Sequence, residues 1–298
     1  MFKFSFQVES EEESALSKDE NLVVTSQKSN ENETRAEDTP VYPCEELCVD
    51  TILVGPRSIN PEVTCNFTPV PECSIAYLNH LALLEETFTD DIVTAELDHS
   101  DLVPNRYEGG LKVWECTFDL GKFLVSSEDL KALFQGKKVL DLGCGAGVLG
   151  IEAIQLGASS VHFQDYNKDV LTKTTMINYD LNCRSDDKNG SDVPVAAVKF
   201  FSGDWGSFTD NYDEKYDIIL TSETIYSTQN YGKLLQLFDR KLEADGIIYL
   251  AAKTYYFGVG GGVRLFEDAL ASDDRFQCET VWKCDIGVKR EILKISRK

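Results

Sequence analysis

Basic residues are scarce in this chain. Only 29 Lys and Arg stand against 51 Asp and Glu among 298 residues, a formal net charge of −22. That balance excludes a protein built chiefly to grip nucleic-acid phosphates, which it would repel. It leaves a basic macromolecular partner, or simple solubility, as its meaning. No apolar run approaches the ~20 residues of a membrane span, and the opening MFKFSFQVESEEES has no basic segment followed by an apolar one, so neither membrane insertion nor a secretory signal is expected. The nine Cys are an odd, scattered set without a disulfide framework, which reads as reduced intracellular thiols. Histidine is rarer still. His80, His99 and His162 do not flank the Cys44/Cys48 pair at zinc spacing, so no metal is expected.

Hydrophobic residues at 42% and charged ones at 27% suffice for a full globular core. Residues 1–50 carry 13 acids and 4 bases and little periodicity, and read as an acidic, mostly disordered tail. MFKFSF within it reads as a short strand or a docking peptide. Residues 51–110 read as an N-terminal extension packing on the core, with a helix predicted near Ile75–Phe88. From residue 111 to 298 apolar runs alternate with helical patterns, the mark of a mostly parallel sheet covered on both faces. Predicted strands are Lys138–Leu142, Ser160–Gln164, Ala197–Phe201, Tyr216–Thr221 and Gly246–Ala252, and predicted helices Gly147–Leu156, Lys168–Asn182 and Tyr231–Leu242. Asp186–Asp192 is a polar loop. Phe276–Cys284 and Val288–Ser296 read as an antiparallel hairpin closing a doubly wound α/β fold.

The most informative stretch is Lys138-Val139-Leu140-Asp141-Leu142-Gly143-Cys144-Gly145-Ala146-Gly147, a buried strand running into a glycine-rich turn that opens a helix. Glycines let the backbone turn sharply and approach a ligand. Gly145, Gly147 and Gly150 also satisfy the G-x-G-x-x-G dinucleotide fingerprint. Asp141 is expected to separate the two readings. A carboxylate at the strand tip opposes a pyrophosphate but suits S-adenosylmethionine, which carries a sulfonium and an ammonium and no phosphate. Asp165, 22 residues after Gly143, would take ribose hydroxyls with either donor.

Longer stretches add a resemblance. YEGGLKVWECTFDL (107–120), KVLDLGCGAGVLGI (138–151), HFQDYN (162–167), FFSGDW (200–205), LTSETIY (220–226) and YFGVGGGV (256–263) resemble the seven-β-strand S-adenosylmethionine-dependent methyltransferases. More narrowly, they resemble the protein-histidine methyltransferases that modify a histidine of a large-subunit ribosomal protein. The resemblance implies the class I methyltransferase fold, with a mostly parallel seven-stranded sheet and a C-terminal antiparallel hairpin. It implies S-adenosylmethionine as co-substrate, a basic ribosomal protein as partner, no direct nucleic-acid or membrane binding, a monomer, and residence in cytoplasm and nucleus. Val113, Trp114, Glu115, Cys116 and Thr117 would close over the methionine end of the donor. Asp141, Gly143 and Gly145 of the glycine loop would hold its amino-acid part. Asp165, Tyr166 and Asn167 would take the ribose, Gly203, Asp204 and Trp205 the adenine edge, and Ser222 would border the pocket.

For these positions plainer roles compete: core packing for Trp114, a solvated helix acid for Glu115, a helix cap for Asp204. Glu223 and Tyr226 are the candidates for gripping the acceptor, with a helix-start carboxylate as the plainer role of Glu223. A neutral imidazole already carries an unprotonated nitrogen, so catalysis turns on tautomer choice rather than on a strong base. An acceptor for the near ring N–H would leave the far, tele, nitrogen aimed at the methyl. Tyr255–Gly262 is expected to be a mobile aromatic-glycine loop shaping the acceptor channel. Lysine methylation on the same fold, a nicotinamide oxidoreductase and a non-catalytic ribosomal-protein binder are the competing readings.

Overall fold

The computed structural model describes residues 42–49, 63–79, 92–93, 95, 102–103, 106–183 and 196–298. MFKFSF, His80, His99 and Asp186–Asp192 lie outside the described residues. Three strands come first: β1 (Glu45–Leu47), β2 (Thr64–Val70) and β3 (Cys73–Leu78). Helices α1 (Glu115–Leu124) and α2 (Glu128–Ala132) lead into β4 (Lys138–Leu142), α3 (Val148–Gln155) and β5 (Ser160–Asp165). Helix α4 runs through Lys168–Val170, the π-helical turn Leu171–Thr175 and Met176–Cys183. Then come β6 (Ala197–Ser202), α5 (Trp205–Asn211), β7 (Tyr216–Ser222), α6 (Tyr231–Lys241), β8 (Leu242–Lys253), α7 (Val263–Asp273), β9 (Phe276–Cys284) and β10 (Arg290–Arg297).

One sheet organises the molecule, in the order β1-β6-β5-β4-β7-β8-β10-β9. Strands β6, β5, β4, β7 and β8 are parallel, and β10 returns antiparallel against β8 and β9. This is the doubly wound plan with the expected terminal hairpin. Side chains alternate faces along each strand. Val139, Phe163, Phe200 and Leu220 therefore pack with α1, α3 and α4 on one face. Leu140, Phe201, Ile219 and Ile248 pack with α5, α6 and α7 on the other.

The N-terminal third departs from expectation twice. Glu45–Leu47 adds an eighth strand, antiparallel to the edge strand β6, with Leu47 buried. The helix expected near Ile75–Phe88 is not what its first residues form. Ile75–Leu78 belong to β3, paired with β2, while residues 80–88 lie outside the described set. The physical reason is tertiary: Asn178 and Asn182, one turn apart on α4, supply the partners that the open edge of β3 needs. The Leu78 amide donates to Asn178 Oδ1 at 2.8 Å and the Ala76 amide to Asn182 Oδ1 at 2.9 Å, while Asn182 Nδ2 donates back to the Ala76 carbonyl at 2.7 Å. Backbone groups capped in this way by side chains are no longer open to template aggregation.

Candidate active site

Strand β4 lies between β5 and β7, where the direction of chain winding reverses, and a crevice opens there at the carboxyl ends of the strands. Its volume is about 870 Å³, part of it open to solvent. The walls bring together Val113, Trp114, Thr117, Gly143, Gly145, Asp165, Tyr166, Asp204, Trp205, Ser222, Glu223 and Tyr226 from distant parts of the chain. Glu115, Cys116, Asp141, Asn167 and Gly203, also expected there, are not among the walls.

Each of those five has a definable place nearby. Helix α3 starts at Gly147, which has no side chain with which to cap it. Asp141 does the capping from the strand, its Oδ2 accepting from the Gly150 amide at 2.8 Å. It is buried, and burial pushes its carboxyl up to about 8. Asp141 therefore caps the start of α3 from inside the loop. Asn167 braces the lip: its Oδ1 accepts from the Glu108 amide at 3.1 Å and its Nδ2 donates to the Arg106 carbonyl at 2.6 Å. Gly203 packs under the incoming N-terminal segment, where a Cβ would sit 2.5 Å from the Pro43 carbonyl. Cys116 is buried behind the lip, and Glu115 is a largely solvated acid 3.7 Å from Lys253 Nζ.

The glycine loop is held from two sides. Gly145, at φ 50°, donates its amide to Asp165 Oδ2 at 2.9 Å. A Cβ there would stand 3.0 Å from the Gly110 carbonyl, so loop and lip meet only because no side chain intervenes. From behind, Thr175 Oγ1 donates to the Gly145 carbonyl at 2.5 Å and Asn178 Nδ2 to the Ala146 carbonyl at 2.9 Å. The π-turn in α4 carries Thr175, in keeping with the use of such turns at functional sites. Asp165 also accepts from the Asn167 amide at 3.1 Å, and its burial outweighs these bonds, raising its carboxyl to about 6.

At the opposite wall Asp204 is both wall and cap, accepting from the Gly206 amide at 2.8 Å and pairing with Lys233. The Trp205 indole donates to Gln164 Oε1 at 3.0 Å, and Gln164, fully buried, donates to the Gly203 carbonyl at 2.7 Å. Gln164 thus fixes the Trp205 ring, as sequence alone did not suggest.

Around the acceptor candidates the geometry is tighter than the sequence implied. Glu223 is buried at φ 61°, a left-handed conformation that a non-glycine residue adopts only where its surroundings impose it. Its amide donates to the Ala251 carbonyl at 2.9 Å. No helix begins at this residue, so the plainer role does not apply. Glu223 Oε2 accepts from the Tyr256 hydroxyl at 2.6 Å, whereas buried Oε1 has no hydrogen-bond partner. Tyr226 donates to Glu108, a wall residue to which sequence reasoning gave no role because nothing local marks its partner. The loop expected to be mobile is instead anchored: the Gly261 amide donates to the Tyr226 carbonyl at 2.8 Å and the Gly262 amide to the Tyr231 hydroxyl at 2.9 Å. Tyr255 and Phe257 project from it, Phe257 73% exposed.

The donor set fits S-adenosylmethionine. Glu108, Asp165, Asp204 and Glu223 bring four carboxylates to the crevice, against Lys112 and Lys233. A sulfonium and an ammonium gain from that excess, and a diphosphate would oppose it. Among the described residues no helix is long and apolar enough to cross a membrane, and no group of three or more His, Cys, Asp or Glu could hold a metal ion.

Fold and site together define a class I S-adenosylmethionine-dependent methyltransferase. A family model described as lysine methyltransferase matches residues 102–256. The chain is 42% identical over 238 residues to the histidine protein methyltransferase 1 homolog of Bos taurus, covering 72% of this chain and 63% of that protein. To the Rattus norvegicus homolog it is 33% identical over 360 residues, covering 100% of this chain and 99% of that one. Among solved structures, the magnesium protoporphyrin IX methyltransferase of Synechocystis PCC 6803 with bound SAH has 16% identity and a TM-score of 0.45, covering 60% of this chain and 80% of that chain. The chain belongs to the histidine protein methyltransferase 1 family, S-adenosylmethionine-dependent protein-histidine methyltransferases.

Proposed function

We propose that the protein methylates the tele nitrogen of a histidine in a basic, large-subunit ribosomal protein, in the cytosol or nucleus. The observation that carries the nitrogen assignment is Glu223 Oε1, a buried oxygen without a hydrogen-bond partner on a residue that lines the crevice. Tyr256 occupies the other oxygen, so Oε1 is the acceptor position left to an incoming ring. An imidazole entering this mouth gives its near N–H to Oε1, and its far nitrogen lone pair then points down the crevice. When bound, S-adenosylmethionine supplies an electrophilic methyl group on sulfur.

The chain's own residues align the reactants, a contribution of ~7–11 kcal/mol in well-oriented reactions. Asp165 accepts the ribose hydroxyls, and Trp205, fixed by Gln164, presents its ring to the adenine. Trp114, whose indole donates to the Gly109 carbonyl at 3.1 Å, walls the methionine end. The loop glycines Gly143 and Gly145 leave room for the amino-acid part. The net charge of −22 steers a basic ribosomal protein toward the enzyme and repels free nucleic acid.

The test incubates the protein with labelled S-adenosylmethionine and large-subunit ribosomal proteins, followed by amino-acid analysis. Tele-methylhistidine is expected. The label in pros-methylhistidine would overturn the Glu223 geometry, and label in methyl-lysine would favour the reading that the matched family model's description carries. Donor bound without transfer would point to a binding protein.

A further inference from the structure

Lys253 ends β8 immediately behind the acceptor mouth, and no sequence motif singled it out. Its Nζ lies 3.8 Å from Glu223 Oε1 and 3.7 Å from Glu115 Oε2. The same ammonium sits over the Trp114 ring, 4.9 Å from its centroid, and 5.8 Å from the centroid of Tyr256. Its side chain is 15% exposed. One cation therefore touches the proposed acceptor-holding carboxylate, the aromatic wall of the donor site and the tyrosine that fixes Glu223.

A buried carboxylate is costly unless a charge or several donors compensate it. The titratable groups facing Glu223 are few. Cys116 approaches from α1, Tyr256 from the loop after β8, and Lys253 from β8 itself. Cys116 and Tyr256 are neutral, since burial drives both well above their ordinary ranges. Asp119 lies beyond Cys116 and is neutralised by Arg290 at 2.5 Å. Among the described residues Lys253 is the cation within reach of Glu223. At 3.8 Å from Oε1 it supplies charge without filling that oxygen's hydrogen-bonding position.

We propose that Lys253 is a positioning residue for methyl transfer: its ammonium, beside Oε1 and over the Trp114 ring, holds the Glu223 carboxylate and the indole in their places, so that Oε1 is presented as an acceptor to the substrate imidazole. This deepens the reading of Glu223 given above and rests on it. A Glu223 carboxylate displaced from this position would no longer select the tautomer, and either nitrogen would meet the methyl. A lysine acceptor would meet Lys253 as a like charge until it lost its proton, whereas a neutral imidazole meets no such barrier.

The experiment measures single-turnover methylation of large-subunit ribosomal proteins by the full-length protein, together with the position of the methyl group in the product. In Lys253→Met the rate should fall about tenfold and the share of label in pros-methylhistidine should rise, with donor affinity within about threefold, whereas Lys253→Arg should restore most of the rate and the native product. An unchanged rate and product in Lys253→Met, or a Lys253→Arg variant as slow as Lys253→Met, would overturn the proposal. Should the Met variant fail to fold, Lys253→Gln takes its place in both measurements. A native rate and product in Glu223→Gln, by contrast, removes the acceptor reading of Glu223 itself, whereas a slow Glu223→Gln beside a native Lys253→Met removes only the role of Lys253, so the two failures are distinguishable.

Discussion

The Tyr256 hydroxyl donates to Oε2 of Glu223 at 2.6 Å, joining the loop after β8 to the residue after β7 with both side chains buried. Burial and the neighbouring Glu223 charge hold the Tyr256 hydroxyl well above its ordinary range, so it remains a donor throughout the physiological window. Tyr256→Phe removes that donor and leaves the second carboxylate oxygen bare. A hydrogen bond to a charged group contributes about 1.5–3 kcal/mol, so single-turnover methyl transfer should fall by roughly one to two orders of magnitude. Donor affinity measured by calorimetry should stay close to native. Unchanged transfer would show that Glu223 needs no such support.

Asp165 gives donor binding a pH dependence. Its carboxyl is raised to about 6 by burial, so it loses its charge on descending through that value. As an anion it accepts hydroxyl hydrogen bonds freely, and as an acid it loses one acceptor position. S-adenosylmethionine affinity should therefore weaken as pH falls from 7 to 5. In Asp165→Asn, calorimetry should find weaker binding that is flat across this range, and a parallel decline in both proteins would exclude Asp165 as its source.

Glu152 predicts a stability effect away from the crevice. It is fully buried on α3, Oε2 has no partner, and burial raises its carboxyl from 4.5 to about 8. Between those values the unfolded chain holds the carboxyl as an anion while the folded chain holds it as an acid, so the unfolded state binds fewer protons. Stability consequently declines as pH rises from about 4.5 to about 8 and levels off beyond. Glu152→Gln removes this component. Its unfolding free energy from urea titration should match the native protein near pH 4.5 and exceed it by a few kcal/mol at pH 8, because each tenfold difference in proton affinity between the two states is worth about 1.4 kcal/mol. Equal stabilities at both pH values would contradict this.

Asp204 carries two loads that one substitution can separate. Asp204→Ala removes the cap of α5, a loss of about 1 kcal/mol in stability. It also frees Lys233 beside the adenine end and adds net positive charge to the crevice. Asp204→Ser retains a cap while dropping the charge. Both variants should bind the donor more weakly, by about tenfold, yet only the Ala variant should lower the melting temperature. If Ser binds the donor natively, Asp204 is a cap and nothing more.

Strand and helix periodicity, the glycine turn and the closing hairpin were legible in the amino-acid order because they are local. Alternation and 3.6-residue spacing report which faces are buried whatever the partner is. The stretches around Trp114, Glu223 and Tyr226 line the crevice. Asp141 marks the limit of that reasoning. Its place at a strand tip was visible, but whether it faced the ligand or an uncapped helix start depended on where α3 began relative to β4. The same holds for Gln164, Glu108 and Lys253, whose partners lie 41, 118 and 30 residues away along the chain. Ile75–Leu78 became a strand because Asn178 and Asn182 met its edge, a pairing across about one hundred residues. Secondary structure and the general location of the chemistry thus follow from short-range patterning, whereas the direction of each polar side chain, and with it the charge in the crevice, is set by contacts that exist only once the sheet has closed around them.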